Sequence, residues 1–108
     1  SGLLWLTYSQ TQDSDDCQRA KNLLPSFEAR LDNKVHLNHD LGFLFLLSAR
    51  AHHQFLDDDA SKALAFRATE VLYKRFRPVG QYIQAWGEMD DDSQLRRIII
   101  DCMMNSML

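Results

Sequence analysis

The feature that most constrains this chain is an alternation. Stretches that are apolar on every side take turns with stretches that are apolar on one side only. Leu3, Leu4, Trp5, Leu6 and Tyr8 form the first all-apolar stretch; the second runs from Asp40 to about Phe55, and the third from Arg96 to Leu108. Between them, Cys17 to Leu31 carries one apolar stripe of Ala20, Leu23, Leu24, Phe27 and Leu31. Ala60 to Phe76 does the same, with Ala63, Leu64, Ala68, Val71 and Leu72 predicted inward and Lys62, Arg67, Glu70, Lys74 and Arg75 outward. A helix apolar all round is buried, and a striped helix lies at a surface. No stretch has the period of a strand. The expectation is an all-α fold with an inner and an outer ring, as in a toroid of helical hairpins or a superhelical solenoid.

Such an array leaves inner faces uncovered. Residues 1–108 are therefore expected to be part of a larger domain, with self-association through the bare apolar faces as an alternative way to cover them. The opening SGLLWLTYSQ has no basic region of a signal peptide and enters an apolar segment at once, as if cut from something longer.

Local signals set the boundaries. Asp13 to Asp16 reads as a turn and helix start without the central glycine of a calcium loop. Pro25 should kink or break the helix around it. Asp57, Asp58 and Asp59 suit the start of the next helix. Arg77 to Gln94 is the longest irregular segment, bearing Tyr82 and Trp86, and is expected to be an ordered functional loop. Ser93 is placed to cap the final helix.

Composition excludes some partners. Net charge is −3 without a basic cluster, which argues against nucleic acid. The longest apolar run, Leu41 to Ala49, stops at Arg50, too short to span a membrane. Cys17 and Cys102 have no metal-ligand spacing and read as thiols of a reducing compartment.

Chemistry is expected at one end of the rings. Asp101 is the lone acid in RRIIIDCMMNSML. Apolar surroundings disfavour a carboxylate anion and favour the acid, which can then give and take a proton. Asp40 begins the second all-apolar helix, where a negative charge is favoured. His39 and Trp86 lie in loops opening at the same end. Taken singly, Asp40 is a helix cap, Trp86 a core plug, His39 a loop hydrogen-bonder and Asp101 a structural acid paired with Arg96 or Arg97. His52 and His53 read as exposed helix residues, and no metal site is expected.

The blocks SGLLWL, HDLGFLFLLSA, IQAWG and RIIIDC, in this order and spacing, resemble the unsaturated glucuronyl hydrolases of glycoside hydrolase family 88 along all 108 residues. The resemblance implies a minority share of an (α/α)6 barrel and a bacterial, cytoplasmic enzyme. It also implies removal of unsaturated uronic acid from the non-reducing end of lyase-generated oligosaccharides, without a cofactor. Asp101 would be the general acid/base, Asp40 its assistant, and His39 and Trp86 the pocket lining. The alternatives are a non-catalytic helical-repeat interaction module and a carbohydrate-binding remnant.

Overall fold

The computed structural model describes residues 1–108 and is mainly helical. Helix α1 (Gly2–Thr11) ends on Gln12 in the left-handed region, and α2 (Ser14–Leu31) returns against it. The Asp13 carboxylate caps α2 by accepting from the Asp15 and Asp16 amides. Pro25 was expected to interrupt α2 and does not. It is exposed, so the carbonyl left unpaired by its ring can face water.

The second all-apolar stretch forms a continuous rod. It consists of α3 (Leu41–Phe45), one π turn (Leu46–Arg50) and α4 (Ala51–Leu56). The rod packs against α1, α2 and α5 (Asp59–Tyr73), whose first turn is capped by Asp58 through the Ser61 amide. Leu31, Leu41, Phe45, Ala49, Leu64, Ala68 and Leu72 form the core at this junction. A smaller cluster of Trp5, Cys17 and Ala20 joins the hairpin to it. The stripe on α5 differs from expectation at one position, for Ala63 is exposed. Cys17 and Cys102 are buried, free thiols.

The array is open. Its radius of gyration is 15.1 Å, against about 13 Å for a compact domain of this length. Stretches expected to be buried all round have bare faces: Leu3 is 80% exposed and Met103 77%. Burial needs a partner surface, and within these residues only one side of each stretch finds one. No helix is long and apolar enough to cross a membrane.

The last stretch departs most from expectation. Residues 95–100 are not helical, Arg96 has a φ of 67°, and Ile98 and Ile100 face outward. Only α6 (Cys102–Asn105) is helical. Three consecutive β-branched isoleucines carry no helical stripe and disfavour the helix locally. Ser93 does not cap a long helix; it lies in a 3-10 turn (Asp92–Gln94) whose cap is Asp91. The irregular segment also holds a pair of two-residue strands, β1 (Phe76–Arg77) and β2 (Tyr82–Ile83), antiparallel, where no strand was expected.

That segment is held by Arg75, which was expected to point outward and is instead buried. Its guanidinium donates to the carbonyls of Gln84 (2.8 Å), Leu37 (2.8 Å) and Gly87 (3.1 Å). Burial, together with the like charge of Arg77, draws its pKa below the usual value. Gln84, fully buried, extends the web by accepting from Arg77 and donating to the Trp86 and Glu88 carbonyls. One cation thus ties the loop before His39 to the loop around Trp86.

Arg75→Met leaves three carbonyls without their donor and should lower unfolding stability by about 3 kcal/mol. Arg67→Met, which removes exposed ion pairs to Asp32 and Glu28, should cost less than about 1 kcal/mol; paired urea titrations measure both. His52 makes a second prediction. It is half-buried rather than exposed, stacked on Trp5 at 5.1 Å. Burial lowers its pKa from 6.5, Asp58 partly offsets this, and Lys21 adds to it. The unfolded chain then binds more protons, so stability should fall as pH drops below the ordinary histidine value. Urea midpoints at pH 5 and pH 7.5 should differ less in His52→Gln than in the parent.

Candidate active site

Ala85 is the point where three segments meet. Its carbonyl accepts from the His39 amide (3.1 Å), and its own amide donates to the Arg97 carbonyl (2.6 Å). The chain before α3 and the chain before α6 are therefore both bound to the backbone of Ala85. His39 and Asp101, 62 positions apart in sequence, come into contact as a result.

The His39 ring is buried, and its Nδ1 lies 3.1 Å from the same Ala85 carbonyl. A carbonyl only accepts, so Nδ1 carries the proton. That fixes Nε2 as the nitrogen facing the site. Nε2 lies 3.3 Å from an Asp40 carboxylate oxygen and 3.4 Å from Asp101 Oδ2. With Nδ1 protonated, Nε2 can bond to either carboxyl group only if a proton sits between them. The Asp101 contact has hydrogen-bond geometry, and Asp40 lies close beside it.

The two aspartates reach this point in the same way. Each occupies the N-cap place of a helix, Asp40 before α3 and Asp101 before α6, and neither side chain caps its helix. The cap reading of Asp40 is thus set aside by the geometry. Asp101 was expected within a long apolar helix; it stands instead at the start of a short one, its side chain 34% exposed. Asp101 Oδ1 is buried and has no hydrogen-bond partner. Trp86 is not a core plug, being 42% exposed. Its ring meets the His39 ring edge to face at 5.4 Å.

All four residues singled out in the sequence are therefore neighbours, around one buried imidazole. The ligand-type atoms of His39, Asp40 and Asp101 also lie within 4.8 Å of one another, so these are the residues that could hold a cation. Sequence reading missed three residues that set this geometry: Arg75, Gly42 and Asn105. Gly42 allows close contact, since a Cβ there would lie 2.1 Å from the Asn105 carbonyl oxygen. The only sequence signal was positional, a glycine two residues after Asp40 and an asparagine four after Asp101.

No family model matches the chain. An unsaturated glucuronyl hydrolase from Bacillus sp. (strain GL1) is 42% identical over 106 residues, covering 97% of this chain and 28% of that protein. An unsaturated chondroitin disaccharide hydrolase from Streptococcus agalactiae is 36% identical over 109 residues, covering all of this chain and 27% of that one. Among solved structures, a UGL variant with dGlcA-Glc-Rha-Glc superposes with a TM-score of 0.88 at 41% identity, over 96% of this chain and 28% of its own. The expected all-α class agrees with this match to part of a helical barrel. The chain spans about 28% of the length of these relatives, and it is homologous to that segment of the unsaturated glucuronyl hydrolases.

Proposed function

We propose that this chain supplies the proton-transfer edge of an enzyme that removes unsaturated uronic acid from the non-reducing end of glycosaminoglycan-type oligosaccharides. The observation carrying the reading is the convergence of Asp101 and Asp40 on His39 Nε2, beside the exposed face of Trp86. The similarity to enzymes named for that substrate class supports it.

The unsaturated uronate is a vinyl ether, so its double bond is electron-rich at the carbon remote from the ring oxygen. Asp101 in its acid form gives a proton to that carbon. Positive charge develops at the neighbouring carbon, shared with the ring oxygen. The Asp101 carboxylate then takes a proton from a water whose oxygen adds to that carbon, giving a hemiketal and restoring the acid. The hemiketal opens by breaking its bond to the ring oxygen and becomes a ketone. This leaves a hemiacetal at the other end, which breaks its bond to the departing sugar. One water is consumed and the catalyst is unchanged. Because the glycosidic bond is not attacked directly, the carboxylate spacings of retaining and inverting glycosidases do not govern the outcome.

The residues have distinct tasks. His39 is held through Nδ1 and presents a shared proton, which keeps Asp40 and Asp101 close without both bearing an unshielded charge. Asp40 stabilises the proton-carrying arrangement when Asp101 gives its proton away. Trp86 offers a flat face for the sugar ring. No metal or organic cofactor takes part.

Loss of the vinyl ether removes its ultraviolet absorbance, so the protein carrying this chain should make the absorbance of unsaturated chondroitin or hyaluronan disaccharide decay. Asp101→Asn, nearly isosteric, should fold normally and lower kcat by about 10³-fold. Turnover by Asp101→Asn at the parent rate would remove Asp101 from the mechanism. EDTA should leave the parent rate unchanged, whereas loss of activity on chelation would assign the same three groups to a cation. Binding of the disaccharide without decay would favour a carbohydrate-binding remnant.

A further inference from the structure

We infer that Asn105 is a positioning residue, a cap supplied from outside its own helix that releases Asp40 from capping and ties it to Asp101. The inference rests on the proposed reaction for its kinetic consequence, but its structural content stands apart from it.

An aspartate at an N-cap place ordinarily turns its carboxylate back to accept from the amides of the first turn. Asp13, Asp58 and Asp91 do so in this chain. Asp40 does not. The Phe43 amide, one of the donors that such a cap would satisfy, instead donates to Asn105 Oδ1 at 2.7 Å. Asn105 is fully buried, and its Nδ2 donates to the Asp101 carbonyl at 3.1 Å. One side-chain amide therefore uses its acceptor on the Asp40 helix and its donor on the residue that bears the second carboxylate.

Both atoms are needed. The acceptor occupies the place that the Asp40 carboxylate would otherwise take, leaving that carboxylate free to face His39. The donor fixes the backbone of Asp101, and with it the distance across His39 Nε2. Gly42 makes the approach feasible, because any Cβ there would lie 2.5 Å from the Asn105 Cα. An asparagine suits the position because it carries a donor and an acceptor on one planar group without charge. Aspartate would keep the cap but set an oxygen against the Asp101 carbonyl. Alanine would remove both.

The test compares Asn105→Ala and Asn105→Asp in the protein carrying this chain, by crystallography and by the ultraviolet assay. In Asn105→Ala the Asp40 carboxylate should turn to accept from the Phe43 amide and leave His39 Nε2. The kcat should fall at least tenfold with KM within threefold, since Trp86 is untouched. In Asn105→Asp the Asp40 carboxylate should stay on His39, and kcat should lie between the other two. An Asn105→Ala protein that folds with Asp40 still on His39 and with unchanged kcat overturns the inference. If Asn105→Ala does not fold, an Asn105→Asp protein whose Asp40 has turned to cap α3 overturns it equally. Failure of the parent to process any unsaturated disaccharide would refute the proposed reaction, while the position of Asp40 in the variants would still decide the role of Asn105.

Discussion

The pair of hydrogen bonds from His39 to Ala85, from backbone amide and ring Nδ1 to one carbonyl, is the contact on which the candidate site depends. It seats the imidazole in a buried place, chooses its tautomer and turns Nε2 toward two carboxyl groups. Without it, the chain before the rod and the chain before α6 would still meet through His39 and Asp101, but nothing would fix which ring nitrogen faces the carboxyl groups. Arg75 acts one layer out. By donating to carbonyls on both loops it holds the segment around Ala85 against the one that leads to His39. A buried cation satisfied only by carbonyls is a costly support, and its cost is offset by the order it imposes on a segment with almost no regular structure.

Asp40 and Asp101 stand where aspartate most often does structural work, and both withhold it. In the α2 and α5 helices the local rule is obeyed: Asp13 and Asp58 cap them. At the two places that face His39 the rule is broken, and at α3 the missing cap is made good from another element. Departures from local consistency of this kind gather at functional sites, where a group is kept available for chemistry at the expense of its nearest use. The pairing of two carboxyl groups with one imidazole has the same character. Two carboxyl groups beside one ring nitrogen place proton donors and acceptors within reach of one another.

Much of the helical architecture could be read from the residues, because α2 and α5 combine aspartate starts with a clear 3.6-residue stripe. The same stripe logic failed in three places for physical reasons. At Ile98 to Ile100 every residue is apolar, so periodicity carries no information, and backbone strain at Arg96 with the β-branched run excludes the helix. At Arg75 a charged residue on the edge of a stripe reads as solvated; the three carbonyls that bury it come from segments 9 to 38 residues away. At Leu3 and Leu6 an apolar face exists without a partner surface. For the site, residue types and the common end of the inner helices were enough to bring His39, Asp40, Trp86 and Asp101 into one neighbourhood. Asn105 and Gly42 were not legible, since their roles exist only once α6 lies against α3.

The state of the His39 ring tests the account most directly. Nitrogen-15 NMR of the imidazole distinguishes a protonated Nδ1 from a protonated Nε2. With Ala85 accepting from the ring, Nδ1 should carry a proton at every pH at which the protein is folded, and any neutral form should be the Nδ1–H tautomer. A neutral His39 protonated at Nε2 would contradict it, because the Ala85 carbonyl would then face a lone pair at Nδ1.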